Sequence, residues 1–441
     1  MQLKRRFFAR LMAWKHEKGR ECLLVNGARQ VGKTYIIDQF GRSEYADYVY
    51  INFLKNPEHR SIFGGSLDPN EIYRQMSLTI SNLHLTPGNT LIFLDEIQAC
   101  RKARTALKFL AMDGRYDVIA SGSLLGIHYK SEEDETPDEE YSIPVGYERE
   151  VQMHSLDFEE YLWARGVNDD AIKTLRQYMQ SAVKLPDAVL ERYQKLLREY
   201  LVVGGMPEVV KSFIETDNFQ KAFDEQAKIL KAYEDDVDSY ASNVDKPKIL
   251  RVYRSLPRQL AKEYTKFQYS KVERGGTARK YGNAIDWLID AGLVCEVHNV
   301  SLPQLPLAAY ETPEEFKVYV SDIGLLTHLF GSETQAALAR NTLSGPAKGG
   351  IYENLVFDML HKRGFEMRYY KRADNTQEIE FLLERDGKVV PVEVKSSRGA
   401  TKSLNEFIEQ YKPPVAYKLI DGNAGSLDSK VTLPQFMAMF L

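Results

Sequence analysis

An eight-residue glycine-rich segment between an apolar run and a helical pattern constrains the fold of this chain most strongly. The segment is Gly27-Ala28-Arg29-Gln30-Val31-Gly32-Lys33-Thr34, which fits G-x-x-x-x-G-K-[ST], follows ECLLVN and opens the stretch TYIIDQF. A strand, a loop and a helix in this order let backbone N–H groups enclose phosphates at a helix N-terminus. Lys33 would then reach the β- and γ-phosphates, and the Thr34 hydroxyl would ligate Mg²⁺. The segment therefore predicts a nucleotide-binding domain.

Short apolar runs alternate with helical patterns around this segment. The runs are ECLLVN, DYVYINF, TLIFLDE and YDVIASGS, and the helical patterns include TYIIDQF and RTALKFLAM. Strands that alternate with helices and are nearly continuously apolar indicate an α/β fold with a parallel sheet covered on both faces. An amphipathic helix is expected before the first strand, because apolar residues recur there at helical spacing: Leu3, Phe7, Leu11 and Trp14.

Acidic and hydroxyl residues end two of the predicted strands. In LIFLDEIQ, Asp95 and Glu96 follow four apolar residues, and a buried acid is costly unless it faces a cleft. We expect Asp95 to orient Mg²⁺, directly or through water, and Glu96 to polarise the attacking water. In VIASGSLLG, Ser121 and Ser123 are expected to contact the γ-phosphate or that water, although Ser-Gly-Ser is also ordinary turn chemistry. The candidates for a charge-neutralising arginine are Arg101, Arg115 and Arg149.

The net charge of −4 hides strong local differences. Residues 131–141, SEEDETPDEEY, are strongly acidic and are expected to form a solvated, mobile loop. Residues 246–281 carry eleven basic residues against two acids, with Tyr264, Tyr269 and Tyr281 interleaved. This stretch predicts DNA phosphate contacts by a helix-turn-helix element. The alternative is a module that packs on the preceding helices in a purely structural role.

The patterns after the first domain divide the rest of the chain. At about 150 residues per domain, 441 residues correspond to roughly three domains. Residues 166–240 are helical in pattern and predict a lid or linker. Residues 241–335 contain helices followed by the strands LVCEVHNV and EFKVYVSD, the outline of a winged helix. Residues 345–441 alternate helix and strand patterns and predict a small, separate α/β domain, whereas residues 1–165 form the nucleotide-binding domain.

The last domain contains acidic residues at strand spacing. Strand alternation puts Glu393 and Lys395 on one face of VVPVEVK, and Glu380 on one face of QEIEFLLE; Glu353 lies on the preceding helix. Three carboxylates and a lysine would suffice to hold one or two Mg²⁺ ions and to activate water at a phosphodiester. Alternating Glu and Lys on a half-buried strand is also common surface patterning.

Cysteine usage and hydropathy indicate the class of protein. The cysteines Cys22, Cys100 and Cys295 are far apart and predict neither disulfides nor a zinc site. No run approaches 18 apolar residues, and the basic N-terminal stretch lacks the apolar core of a signal peptide. We therefore expect a cytoplasmic protein without a membrane partner.

Seven segments together resemble a known family. They are NGARQVGKT, LIFLDEIQ, VIASGSLLG, PVGYEREVQMHSLDFEEYLWARG, YLVVGGMPEVV, YVSDIGLL and EIEFLLE…VVPVEVKSS. They resemble prokaryotic AAA-superfamily ATPases that join an ATPase domain to a C-terminal nuclease-like domain of unknown function. The resemblance implies a P-loop ATPase of the AAA+ kind, a winged-helix middle and a fold similar to PD-(D/E)xK nucleases. The chain departs from the pattern at Glu380, where Asp is usual, and in having Gly146-Tyr147-Glu148-Arg149 where many relatives have Gly-Arg.

The expected function follows from these patterns and the resemblance. It is Mg²⁺-dependent ATP binding and hydrolysis, coupled to movement of a DNA-contacting winged helix through residues 246–281. The alternatives are a nucleotide-gated protein-binding switch with little turnover, and an ATP-gated metal-dependent nuclease that uses Glu353, Glu380, Glu393 and Lys395. The sequence leaves a protein partner and a homo-oligomer open.

Overall fold

The computed structural model describes residues 1–17, 19, 21–125, 146–261, 266–374, 376–396 and 401–441. The predicted acidic loop at 131–141 lies outside these residues, as do Lys262 and Tyr264 of the basic stretch. No helix in the described part of the chain is both long and apolar enough to cross a membrane.

The first sheet has five parallel strands in the order β2-β3-β4-β1-β5. The strands are β1 (Cys22–Asn26), β2 (Asp47–Asn52), β3 (Thr90–Asp95), β4 (Asp117–Ser121) and β5 (Glu148–Gln152), and the helices among them are α1 (Arg6–Lys15), α2 (Lys33–Glu44), α3 (Pro69–Thr79) and α4 (Arg101–Asp113). Alternate residues of β1 enter two different cores, Leu23 and Val25 on one face and Cys22 and Leu24 on the other. The predicted parallel sheet covered on both faces is confirmed.

A helical region follows the first sheet. It consists of α5 (Phe158–Ala164), α6 (Asp169–Ser181), α7 (Asp187–Val203), α8 (Pro207–Thr216) and α9 (Phe219–Tyr240). The chain turns sharply between α7 and α8 at the GGMPE stretch. A Cβ atom at Gly205 would lie 2.0 Å from the backbone oxygen of Leu156, so only glycine allows this close approach.

A mixed eight-stranded sheet forms the rest of the molecule. Its order is β12-β13-β11-β10-β9-β8-β6-β7. The strands are β6 (Val294–Val300), β7 (Glu311–Val320), β8 (Met367–Lys371), β9 (Glu378–Arg385), β10 (Lys388–Val394), β11 (Ala416–Ile420), β12 (Gly425–Leu427) and β13 (Lys430–Pro434). The helices of this part are α10 (Lys246–Leu260), α11 (Tyr269–Val272), α12 (Ala278–Asp290), α13 (Ile323–Leu329), α14 (Ser332–Ala339), α15 (Pro346–His361) and α16 (Lys402–Tyr411).

The two strands of the predicted winged helix at 241–335 belong to the C-terminal sheet. These strands, β6 and β7, are antiparallel as expected, but β6 also pairs in parallel with β8. The ribbon is therefore the edge of the C-terminal sheet, and the predicted boundary between 335 and 345 is crossed by continuous strand pairing. Val294, Val297 and Val318 of this ribbon are almost fully buried in the main core.

Candidate nucleotide-binding site

The glycine-rich segment, hereafter the P-loop (residues 27–34), turns sharply from β1 into α2. Gly27 has φ +150°, and a Cβ atom there would lie 2.3 Å from the backbone oxygen of Met153. Gly32 has φ +95°, in the left-handed region, and directly precedes α2. The start of α2 has neither a side-chain cap nor an acidic residue in its first turn. Its first N–H groups are thus available to an anion.

Lys33 curls back over the P-loop. Its Nζ donates to the backbone oxygens of Gly27 and Ala28, each at 2.9 Å. Burial lowers the pKa of Lys33 to about 8, an effect that the nearby Glu96 and Asp95 oppose. Two neutral carbonyls are weak partners for a buried ammonium group, and a phosphate would be a stronger one.

Asp95 lies at the end of β3 and is surrounded by donors. Its side chain accepts from the Tyr50 hydroxyl and from Asn52 Nδ2, each at 2.9 Å, and from the Ser121 hydroxyl. The Thr34 hydroxyl donates to it at 3.2 Å. Because these donors occupy its lone pairs, this geometry favours an action of Asp95 on Mg²⁺ through Thr34 or water.

The residues of this site suit Mg²⁺. The ion keeps several waters and usually takes only one or two protein ligands besides substrate phosphates. Thr34 and the neighbouring Asp95 offer that donor set at the mouth of the P-loop. Within the described residues no group of three or more His, Cys, Asp or Glu forms a metal cage, which an ATP-bound Mg²⁺ does not need.

Glu96 and the two predicted serines differ in position. Glu96 has φ +55° and ψ +47°, a left-handed conformation that is rare for a non-glycine residue and is found often at functional sites. Its Oε2 accepts from Gln98 Nε2 at 2.6 Å. Ser123 lines the same cleft as Glu96, whereas Ser121 is fully buried and donates to Asp95. The structure thus gives Ser121 a contact with Asp95 in place of the predicted phosphate contact.

A cleft of about 620 Å³ runs along the P-loop. Its polar part is lined by Arg29, Lys33, Thr34, Glu96 and Ser123. Its apolar part is lined by Met1, Leu3, Ile36 and Pro207, from the N-terminal segment, α2 and the start of α8. Ala28 and Val31 line a different cavity.

Sequence reasoning missed the N-terminal contribution to this site. Arg5 Nη1 donates to the Val31 backbone oxygen at 3.0 Å, and Arg5 Nε pairs with Glu160 at 3.1 Å. The signal lies in the basic start of the chain, whose basic helix face could reach a phosphate or be solvated.

The three arginine candidates differ in location. Arg149 lies at the start of β5 and pairs with Glu17 at 2.6 Å and Glu21 at 2.7 Å. Arg115 precedes β4 and pairs with Asp113. Both lie at the amino ends of the strands, whereas the P-loop follows the carboxyl end of β1. Arg101 begins α4. Two other arginines, Arg5 and Arg29, line the cleft.

The predicted carboxylates of the C-terminal sheet are paired with lysines. Lys317 of β7 lies 2.8 Å from Glu353 Oε1 and 2.7 Å from Glu378 Oε1. Lys395 lies 3.0 Å from Glu380 and 3.2 Å from Glu393.

The predicted metal set of Glu353, Glu380 and Glu393 therefore needs revision. Burial raises the pKa of Glu380 to about 7 against the effect of Lys395. No metal-binding group of three such side chains occurs among the residues that the structure describes. Lys317, from outside the predicted C-terminal domain, pairs with Glu353, whereas Lys395 pairs with Glu380 and Glu393.

Comparisons with known proteins identify three regions. Residues 19–162 match the family model described as an AAA domain, residues 194–336 a domain of unknown function (DUF8612) and residues 348–431 a domain of unknown function (DUF4143). An uncharacterized protein of Methanocaldococcus jannaschii is 24% identical over 379 residues, covering 82% of this chain and 71% of that protein.

Two solved structures are similar to parts of this chain. The Walker-type ATPase PABY2304 of Pyrococcus abyssi has a TM-score of 0.40 and 14% identity, over 75% of this chain and 96% of that one. The AMPPCP-bound DnaA of Aquifex aeolicus has a TM-score of 0.28 and 13% identity, over 64% and 86%. Residues 19–162, which contain the P-loop, thus match an AAA domain model, and the two regions after them match domains of unknown function.

Proposed function

We propose that this protein binds ATP with Mg²⁺ in the P-loop cleft and hydrolyses it. The observation that carries the proposal is that Lys33, Thr34, Glu96 and Ser123 line one cleft at the start of α2. The N–H groups of the P-loop bind the phosphates, and Lys33 exchanges its two carbonyl partners for them. The adenine ring of ATP lies in the apolar part of the cleft, beside Leu3 and the start of α8.

Hydrolysis requires a water molecule in line with the γ-phosphate. Glu96 orients this water and accepts its proton as the water oxygen bonds to the γ-phosphorus. The bond from that phosphorus to the β,γ-bridging oxygen breaks, and ADP leaves with the bridging oxygen. Lys33 and Ser123 stabilise the charge on the phosphate oxygens. Thr34 would hold Mg²⁺, which would supply positive charge against the phosphates when bound.

Two substitutions test this proposal. Lys33→Ala should abolish ATP binding, and Glu96→Gln should keep binding while stopping turnover. Nucleotide binding is measured with a fluorescent ATP analogue and turnover by phosphate release. Lys55→Ala and Glu58→Gln, at exposed positions of the same domain, serve as matched controls. Normal turnover in the Glu96 variant would refute the assigned role.

A second function, contact with DNA, is favoured by the surface of the middle region. The turn between α11 and α12 contains Gly276, where a Cβ atom would lie 2.2 Å from the backbone oxygen of Tyr269, so the two helices are held close. Lys271, Arg274 and Arg279 are exposed around this turn. By contrast, Arg251 pairs with Glu273 at 2.6 Å. We propose that the three exposed cations contact DNA phosphates, and that ATP turnover moves this surface.

Duplex binding at several salt concentrations tests DNA contact. Affinity should fall steeply as salt rises, and the Lys271→Glu, Arg274→Glu, Arg279→Glu triple variant should lose most of it. Reversing Lys173, Arg192 and Lys195, which are exposed on α6 and α7, changes the net charge equally and should have little effect. Equal losses in both triple variants would indicate a non-specific charge effect. No binding by the wild type would favour the protein-binding switch.

The same samples test the alternative of a metal-dependent nuclease. Lysines pair with the four glutamates Glu353, Glu378, Glu380 and Glu393, and so compensate their charge without a cation. We therefore expect no nicking of DNA with Mg²⁺ or Mn²⁺. Nicking by the wild type that is lost in Lys395→Ala, with ATP hydrolysis unchanged, would establish the nuclease instead.

A further inference from the structure

Arg29 is the third residue of the P-loop and its one basic side chain besides Lys33. The guanidinium is 41% exposed and lines the cleft with Lys33, Glu96 and Ser123. It therefore lies on the side of the cleft where Glu96 and Ser123 are assigned to the terminal phosphate.

Three residues of α9 hold Arg29 in this position. Arg29 Nε lies 2.9 Å from Asp236 Oδ2, and the guanidinium carbon lies 5.9 Å from the centre of the Tyr240 ring. The Tyr233 hydroxyl donates to the backbone oxygen of Arg29 at 3.1 Å. Residues 233, 236 and 240 share one face of a helix. Arg29 thus joins the P-loop to α9 through both its side chain and its backbone.

Asp236 depends on this contact. The carboxylate is almost fully buried, and it forms an ion pair with Arg29. Burial raises the pKa of Asp236 to about 6, and Arg29 opposes the rise. Because an arginine keeps its charge at any pH of interest, its position is decided by which anion it pairs with.

The pair lies where the ATPase domain meets the middle region. A small cavity is lined by Arg29, Ser123 and Asp236 together with Trp287 of α12. Next to it, a Cβ atom at Gly292 would lie 3.5 Å from the backbone nitrogen of Ala28 in the P-loop. A change in the partner of Arg29 would therefore alter the surroundings of Trp287.

We propose that Arg29 senses the terminal phosphate of bound ATP by leaving Asp236 for that phosphate, which loosens α9 from the P-loop and transmits the nucleotide state to α12. The proposal rests on the proposed ATP binding. A γ-phosphate carries more negative charge than a carboxylate and accepts two parallel hydrogen bonds from a guanidinium. ADP lacks this group, so Arg29 stays with Asp236 when ADP is bound.

The fluorescence of Trp287 reports the exchange directly. The wild type is titrated with the β,γ-imido analogue of ATP and with ADP, and the Trp287→Phe variant identifies the contribution of that residue. We expect a change at Trp287 with the imido analogue and none with ADP. Affinities for both nucleotides are measured by competition with a fluorescent ADP.

Two variants separate sensing from binding. Arg29→Ala should bind ADP as the wild type does, lose affinity for the imido analogue by about ten- to a hundred-fold, and lose the Trp287 response. Asp236→Asn should bind the imido analogue more tightly than the wild type, and its free form should resemble the analogue-bound wild type in fluorescence. Arg42→Ala, which removes an exposed ion pair within α2, is the matched control.

The outcomes distinguish this inference from the proposed function. If Arg29→Ala keeps both the preference for the triphosphate and the Trp287 response, the inference is overturned. If the wild type binds and hydrolyses ATP but Trp287 does not respond, the sensing role alone fails. If the wild type binds neither nucleotide, the proposed function fails and the inference with it.

Discussion

Replacing Lys317 by Met tests the interpretation of the C-terminal carboxylates. The Lys317 side chain is 1% exposed, and its ammonium lies within 2.8 Å of both Glu353 and Glu378. The Tyr319 hydroxyl also donates to Glu353, at 2.5 Å. Methionine keeps most of the volume of the lysine stem, so the substitution mainly removes the charge.

The expected loss of stability follows from the burial of the two glutamates. Removing one partner of a buried pair costs about 3–5 kcal/mol, because the other charge stays buried without compensation. Glu353 is 11% exposed and Glu378 is 24% exposed, so Glu353 accounts for most of the loss. We expect the free energy of unfolding to fall by about 3–5 kcal/mol at pH 7.

Urea unfolding, followed by circular dichroism, measures this loss at several pH values. Burial alone would raise the pKa of Glu378, yet Lys317 lowers that pKa below its ordinary value of 4.5. A lowered carboxylate pKa contributes stability above the ordinary pKa, and that stability is lost as the pH falls. The difference between wild type and Lys317→Met should therefore be full at pH 7 and shrink as the pH falls through 4.5.

A triple variant provides the control. Lys317→Met with Glu353→Gln and Glu378→Gln removes all three charges, and neutral replacement of a buried ionic group costs little. It should regain most of the stability that the single variant loses. A loss below about 1 kcal/mol in the single variant, the value of a surface pair, would refute the reasoning. No recovery in the triple variant would refute it as well.

Three further predictions concern other parts of the molecule. Mg²⁺ should raise the melting temperature of Lys317→Met in a thermal-shift assay and leave the wild type unchanged, because the substitution frees two carboxylates for a cation. Gly27→Ala should weaken binding of a fluorescent ATP analogue, since its Cβ would lie 2.3 Å from the Met153 backbone oxygen, whereas Gly282→Ala, with open space around it, should not. Asp322→Asn should lower the urea midpoint, because Asp322 is buried and accepts from Ser155 at 2.7 Å and from the Gly205 backbone at 2.9 Å.

The sequence predicts the first sheet well because local patterns carry the information. The runs ECLLVN and TLIFLDE are buried along their whole length in β1 and β3, as a parallel sheet covered on both faces requires. Asp95 follows such a run and meets Thr34 from the P-loop, which the strand ends bring to one edge. The first fact depends on residues a few positions apart, and the second on the rule that the carboxyl ends of parallel strands meet at one edge of the sheet.

Contacts between distant segments escape the same reasoning. Nothing near Asp236 in the sequence indicates that it pairs with Arg29, and an acid in a helical pattern normally predicts a solvated face. In the sequence, Lys317 is one charged residue in a strand of alternating polar and apolar residues. Strand pairing nevertheless places it beside Glu353 and Glu378. The pairing of β6 with β8 is likewise decided by packing in the main core.

Two kinds of contact join the P-loop to the rest of the chain, and they differ in how easily they exchange. On one side, Arg5 holds the Val31 backbone oxygen and Glu160, and its own side chain is 6% exposed. Glu160 caps α5 together with Asp157, which pairs with Arg363 just after α15 at 3.3 Å. Breaking such a buried ionic network is costly, so this side is expected to stay fixed during turnover.

On the other side, Arg29 is 41% exposed and faces the cleft in which an anion is expected. When Arg29 moves to this anion, the group left buried without its partner is Asp236. Burial has already raised the pKa of Asp236 to about 6. The cost of the exchange is therefore small compared with that of opening the Arg5 network. Nucleotide-dependent motion is expected at α9 and in the basic region that follows it, while α15 and the C-terminal sheet move as one body with the P-loop.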